Sequence, residues 1–326
     1  MTDLRFLDMK RFLATLLSSS VLLVATGCGG TSNPTPPSSP VGWSLIAGSS
    51  AQQEALQGLQ FYPNSITINA GDTITWSFPS GEPHTVTFLG PLKAPPPPTD
   101  PGAPVPAGGK TYDGSIYTSS GFVLLGKTYA LTFTKPGVYP YYCLLHDRTG
   151  MTGVVTVNPT GTPYKQSQST LTAQGATMIA SDLGQAAAAV LEFPYTPGGP
   201  HVAAGISAGL LTGSNVPSTV VRFLDGPTLA SGTVNVHVGD TVTWTNLSSN
   251  FPHTVTFGVV GQPFPSLPPF SPPSGGNTYD GSTLVNSGPM FPGSNFSLKF
   301  TKAGTYEYHC IFHDDTENMI ATVVVT

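Results

Sequence analysis

Charge is what this 326-residue chain has least of. Asp, Glu, Lys and Arg make up 9% of it, and 17 acidic against 12 basic residues leave a formal net charge of −5. With no basic stripe to neutralise phosphates, nucleic acid is excluded as a partner. Cysteine is also scarce, with only Cys28, Cys143 and Cys310. Long apolar runs are nearly absent, because the stretch after Lys10 and Arg11, about 17 residues, sits at the short limit for a bilayer span. What is abundant is Gly (37) and Pro (33), which suits turn-rich β structure better than helical bundles. The length sets a prior of about two domains.

A basic start, an apolar run and small residues before a cut are the layout of an export signal. Met9-Lys10-Arg11 makes a tighter start than Met1. The run ends in Ala25-Thr26-Gly27-Cys28, which resembles a bacterial lipoprotein processing box, with Ala25 where Leu is commonest. That resemblance implies that Cys28 becomes the lipidated first residue of the mature chain. The plainer alternative is an ordinary secretion signal with an incidental cysteine. Either way the body is expected outside the cytoplasm, and the lipoprotein reading adds membrane attachment through Cys28. Residues 1–28 are thus the signal, and the Ser/Pro/Gly-rich residues 29–41 an extended tether that cannot bury a core.

From residue 42 onward, short alternating segments are separated by turn signals. They include Trp43 to Ala47, Ser65 to Asn69, Thr73 to Phe78, His84 to Phe88 and Ala130 to Thr134. Such a pattern gives an antiparallel sandwich or barrel. The pattern then recurs. Ile66 to Trp76 matches Val234 to Trp244, Pro83-His84-Thr85-Val86-Thr87-Phe88 matches Pro252-His253-Thr254-Val255-Thr256-Phe257, and Leu131 to His146 matches Leu298 to His313. The offset stays at 167–169 residues, a period that means duplicated domains and not a solenoid. Residues 42–159 form the first domain and 196–326 the second. Between them, 160–195 is a linker whose Ala-rich residues 177–191 form the best local case for a helix.

The duplication works as a control on the candidate site. His84 pairs with His253, Cys143 with Cys310, His146 with His313 and Met151 with Met319. Singly, each residue has an ordinary explanation: surface histidine, small buried cysteine, core methionine. Together and twice over, two imidazoles, a thiolate and a weak axial thioether make an electron-transfer copper site. A Cys143–Cys310 disulfide is the rival explanation, but loops of separate sandwiches rarely bring cysteines within the ~5.5 Å that a bridge needs.

These residues resemble the cupredoxins, specifically the plastocyanin-like blue (type 1) copper proteins. The resemblance rests on Cys143-x-x-His146-x-x-x-x-Met151 and on the upstream Pro83-His84-Thr85-Val86. It implies two tandem Greek-key β-sandwich domains, all-β apart from the partly helical linker, with one type 1 copper in each. The metal ligands are then His84, Cys143, His146 and Met151 in the first domain and His253, Cys310, His313 and Met319 in the second. The second domain departs from the pattern, with five residues and not four between His313 and Met319. The extra residue either bulges outward or lengthens or removes the axial bond. Thr85 and Thr254 are candidate supporting donors. The histidines are expected near the surface, giving electrons a way out.

The expected function is electron transfer between redox-protein partners. The alternatives are a copper carrier and a copper oxidoreductase of nitrite reductase or multicopper oxidase type. The oxidoreductase needs an additional copper, and only His201, His237 and His309 remain to build it. His309, next to Cys310, stands where such enzymes place a catalytic-copper ligand. The proline-rich residues 91–106 and 263–273 suit docking of a partner or simply stiffen their loops.

Overall fold

The computed structural model describes residues 39–97, 100–192, 200–209, 216–229, 232–249, 251–268 and 270–326. The expected signal, Cys28 and most of the tether lie outside the described residues. The first repeat holds β1 (Gly42–Ala51), β2 (Leu56–Tyr62), β3 (Ser65–Asn69), β4 (Thr73–Ser77), β5 (Thr87–Phe88), β6 (Thr111–Tyr112), β7 (Thr118–Ser119), β8 (Thr128–Phe133), β9 (Gly137–Tyr142) and β10 (Thr152–Asn158). After helix α1 (Gln168–Glu192), the second repeat holds β11 (His201–Ser207), β12 (Ser218–Leu224), β13 (Thr233–Val236), β14 (Thr241–Leu247) and β15 (Thr256–Phe257). It continues with β16 (Thr278–Tyr279), β17 (Val285–Asn286), β18 (Asn295–Phe300), β19 (Gly304–His309) and β20 (Ile320–Val325).

Each repeat is a two-sheet sandwich. One layer is a separate five-stranded sheet, ordered β3-β10-β9-β5-β7 in the first repeat and β13-β20-β19-β15-β17 in the second. The opposite layers are continuous, forming a single ten-stranded sheet ordered β16-β18-β14-β11-β12-β2-β1-β4-β8-β6. The chain changes sheet at almost every connection, so sheet neighbours are often not hairpin partners. Hence β1–β4, β3–β10 and β6–β8 pair in parallel, where wholly antiparallel pairing was expected.

Alternation of buried and exposed residues places the same aromatics inside both sandwiches. Trp76, Phe88, Phe133 and Tyr141 fill the first, and Trp244, Phe257, Phe300 and Tyr308 occupy the equivalent places in the second. Tyr141 stacks on Phe88 at 5.2 Å, as Tyr308 does on Phe257 at 5.0 Å. Such pairs add stability beyond the area they bury.

The two repeats join where β2 meets β12. Leu56 pairs with Val220, Gln57 with Thr219 and Gly58 with Ser218. Internal registers make Phe61 of β2 equivalent to Phe223 of β12, so the junction is self-complementary, as across a two-fold axis. Helix α1 covers it, packing on β1 and β2 from one side and on β11 and β12 from the other. The helix begins earlier than the sequence suggests, at Gln168, because the Ser167 hydroxyl accepts the Thr170 amide proton at 3.2 Å and caps the first turn. Gly175 lets it lie close on β2, since a Cβ there would stand 3.2 Å from the Tyr62 carbonyl. Among the described residues no helix is long and apolar enough to cross a membrane.

Candidate metal centre

Two connections in each sandwich supply the side chains. His84 lies between β4 and β5, clamped by backbone hydrogen bonds in both directions with Val123. Cys143 follows β9, and Met151 precedes β10. The turn between them is fixed by its own backbone: the His146 amide donates to the Cys143 carbonyl at 3.1 Å, and the Met151 amide to the His146 carbonyl at 3.0 Å. The Cys143 amide in turn donates to the Met151 carbonyl at 3.1 Å.

The second repeat reproduces this frame despite its extra residue. His313 donates to Cys310 at 2.9 Å, Met319 to His313 at 2.9 Å and Cys310 to Met319 at 3.1 Å. Register closes at His309–Ile320 in place of Tyr142–Thr152. The insertion is therefore taken up within residues 314–318, where Asn318 adopts φ of 54°, a left-handed conformation that Asn tolerates. The backbone of Met319 stands where that of Met151 stands. Both methionine side chains are fully buried in the same clusters as the cysteines.

The structure brings His84, Cys143 and His146 into one group and His253, Cys310 and His313 into another. In the first, the Nδ1 atoms are 3.0 Å apart, and Cys143 Sγ lies 3.8 Å from His84 Nδ1 and 3.4 Å from His146 Nδ1. In the second, the corresponding distances are 3.2, 3.7 and 3.2 Å. The point equidistant from the three atoms lies about 2 Å from each in both triangles, the length of a metal–imidazole bond. Two imidazoles and a thiol with a methionine at hand are a soft donor set of the kind that holds copper. The donors therefore fit the metal. Cys143 and Cys310 are free thiols, which removes the disulfide alternative.

Burial keeps three of the four imidazoles neutral and ready to bind. His84 is pushed down to about 3, and His146 and His253 well below the ordinary histidine value, by loss of solvent around the charged form. His313 moves the other way: burial opposes its charge, but Cys310 and Glu82 overcome that and raise it. The Cys143 thiol is pushed up to about 11 by burial, so metal binding has to displace its proton.

Thr85 and Thr254 do what the sequence suggested. The Thr85 amide donates to Cys143 Sγ at 3.4 Å, and its hydroxyl accepts the Leu144 amide proton at 2.8 Å. Thr254 repeats this with Cys310 Sγ at 3.3 Å and the Ile311 amide at 2.8 Å. Each threonine thus ties the first histidine's strand to the cysteine loop.

Two further residues were missed. Gly48 (φ 73°) and Gly205 (φ 70°) sit at bulges in β1 and β11. A Cβ at Gly48 would lie 2.0 Å from His84 Nε2, and one at Gly205 2.4 Å from His253 Nε2. Only glycine leaves the rings their place. The repeated Ala47-Gly48 and Ala204-Gly205 pairs are the signal that could have found them.

One expectation is overturned. The histidines do not reach the surface: His84, His146 and His253 are 0% exposed and His313 5%. The other three histidines join neither group. His201 is exposed at the start of β11, and His237 is exposed beside Asp240. His309 sits between Glu307 and Asp314 at 3.0 and 3.1 Å and stacks on Phe264.

The family described as copper binding proteins, plastocyanin/azurin family, matches residues 49–158 and 229–326. Chloroplastic plastocyanin of Hordeum vulgare is 37% identical over 120 residues, covering 35% of this chain and 68% of that protein. Plastocyanin B'/B'' of Nicotiana tabacum is 36% identical over 104 residues, covering 31% of this chain and 90% of that one. A solved Cu(I) amicyanin mutant aligns at 20% identity with a TM-score of 0.25, covering 36% of this chain and 82% of its own.

Proposed function

The chain belongs to the plastocyanin/azurin family of copper-binding proteins, and on that premise we propose that it is an electron-transfer protein working outside the cytoplasm. Each of its two cupredoxin domains holds one type 1 copper. The observation that carries this reading is the double convergence of two imidazole Nδ1 atoms and a thiol Sγ, at 3.0–3.8 Å, in sites closed to solvent.

Bound copper supplies a one-electron couple. The protein's part is to keep the donor set in place for both oxidation states. His84, Cys143, His146 and Met151 would hold the copper of the first site, the imidazoles and thiolate as its stronger donors and the thioether as its weak one. His253, Cys310, His313 and Met319 would do the same in the second. Thr85 and Thr254 keep each cysteine loop from relaxing.

The partners are proteins that give and take single electrons. Attachment to a membrane through a lipidated Cys28 is supported by the apolar run and the Ala25-Thr26-Gly27-Cys28 ending. The oxidoreductase alternative is disfavoured because both ring nitrogens of His309 face carboxylates and none faces another imidazole. The carrier alternative is disfavoured by burial, since a donor set sealed from solvent holds its ion through many cycles.

Replacing Cys143 by Ser should remove the intense thiolate-to-copper absorption of the first site alone, and Cys310→Ser that of the second. Full absorption intensity in either variant would refute the assignment. A carrier would lose copper to a chelator within one reduction cycle, whereas the electron-transfer reading expects retention.

A further inference from the structure

The two sites carry the same ligand types on the same frame, yet their surroundings across the domain interface differ. Within the domains, the Ser80 hydroxyl reaches His84 Nε2 at 2.8 Å, while His253 Nε2 has no hydrogen-bond partner among the described residues. Across the interface, the difference comes from one pair of equivalent positions. Glu82 and Phe251 each stand two residues before the first histidine of their repeat, in Glu82-Pro83-His84 and Phe251-Pro252-His253. Each reaches the other domain's site.

Glu82 Oε1 lies 3.2 Å from His313 Nε2, with both side chains buried. Phe251 packs on His146 with ring centroids 4.9 Å apart and stands 6.0 Å from the His313 ring. The first site's second histidine therefore meets a phenyl ring, and its Nε2 is buried with no hydrogen-bond partner among the described residues. The second site's second histidine meets a carboxylate.

The interface that holds these groups is built. Within the first domain the Gly81 amide donates to Glu54 Oε2 at 2.8 Å, next to Glu82. Arg222 donates to the Glu317 carbonyl and, at 2.6 Å, to the Gln53 carbonyl. Glu317 belongs to the lengthened 314–318 loop, and its carboxylate lies against Gly81, where a Cβ would be 2.4 Å away. The lengthened loop thus touches the first domain.

We propose that the two copper sites form an internal one-electron relay, coupled through His313, Phe251 and His146 and given its direction by Glu82. The proposal rests on the electron-transfer reading above. A carboxylate 3.2 Å from the outer nitrogen of His313 puts negative charge beside the second site, which favours the more highly charged metal. This favours Cu(II) in the second site and lowers its potential. The apolar cover on His146 favours Cu(I) in the first, because hydrophobic surroundings and hydrogen bonding tune such potentials.

In a chain reduced by one electron, that electron therefore leaves the second site and enters the first. The second site is oxidised from Cu(I) to Cu(II) and the first reduced from Cu(II) to Cu(I). No proton moves and no ligand leaves. An external one-electron donor supplies the charge, and burial of all four histidines channels it between the sites.

The test is a redox titration of the copper-loaded protein, followed by absorption and EPR, beside Cys143→Ser, which keeps only the second site, and Cys310→Ser, which keeps only the first. The expected result is two separated potentials in the parent protein, with the lower one retained in Cys143→Ser. Glu82→Gln should raise the lower potential and leave the upper unmoved, and Glu82→Asp should restore part of the shift. Phe251→Leu, which keeps an apolar cover, should slow redistribution of a photoinjected electron without loss of copper.

A single shared potential, the lower potential in Cys310→Ser, or a redistribution rate unchanged by Phe251→Leu would each overturn the relay while leaving two type 1 coppers in place. Fewer than two type 1 coppers in the loaded parent would overturn the electron-transfer reading and the relay with it. Should Glu82→Gln fail to fold, the two single-site variants still decide which site has the lower potential.

Discussion

His84 shows how much work a single buried ring does here. Its ordinary value of 6.5 falls to about 3 because burial penalises the imidazolium. Above pH 6.5 the ring is neutral in folded and unfolded chains alike and contributes nothing to pH dependence. As the pH falls from 6.5 towards 3, the unfolded chain takes up a proton that the folded chain refuses, so stability declines through that window. Metal-free His84→Gln should accordingly show a shallower loss of stability across it in denaturant titrations. An unchanged slope would mean that the ring is not held neutral.

Thr85 gives a second residue-scale expectation. Thr85→Val keeps the shape but leaves the buried Leu144 amide without its acceptor, which costs about 1–3 kcal/mol. Chemical denaturation of the metal-free protein should register this, and loss of copper affinity should be confined to the first site. Gly48→Ala should be more damaging, with failure of copper to load at the first site alone, because the new Cβ would occupy the ring's own space. Normal loading would show that β1 can shift to make room.

At the scale of elements, the strands that carry ligands were legible and those that join the domains were not. The segments around β3, β4, β8 and β9 are buried on one face and alternate, which is the pattern that period-2 reading detects. Strands β2 and β12 are covered on both faces, by the sandwich core and by α1, and nearly every residue in them is buried. Continuous burial erases the alternation, so Leu56 to Tyr62 does not announce itself as a strand. Met319 was a related case. Spacing alone left its position open, and only the backbone bonds of the 314–318 loop show how one extra residue is absorbed.

The helix is anchored in a way that residue types alone could not reveal. Asp182 accepts the Tyr62 hydroxyl proton at 2.7 Å and an amide proton of Gln60 at 3.0 Å. Replacing Asp182 by Ala should strand the buried Tyr62 hydroxyl, lowering stability by about 1–3 kcal/mol with no change in either copper spectrum. A spectral change would mean that α1 sets the site geometry as well as covering the junction.

At the scale of the whole molecule, the ten-stranded sheet and the shared helix make two repeats behave as one body. Ser218, Thr219 and Val220 of β12 pair with Gly58, Gln57 and Leu56 of β2, and Leu56, Val190, Ile206 and Val220 share one buried cluster. The metal-free protein should therefore unfold in a single calorimetric transition, and two resolved transitions would mean that the junction is weaker than its pairing implies. The internal repeat made the duplication evident from sequence, but not the facing of the two sites. Glu82 and Phe251, which meet the other domain's histidines, are unlike each other and so do not register as a repeated feature.

The central claim is that each chain carries two type 1 coppers, and metal counting with EPR on the copper-loaded protein tests it most directly. The account expects two coppers per chain, an intense thiolate-to-copper absorption band and only narrow-hyperfine signals. One blue copper per chain, or a further copper with a wide-hyperfine signal, would contradict it.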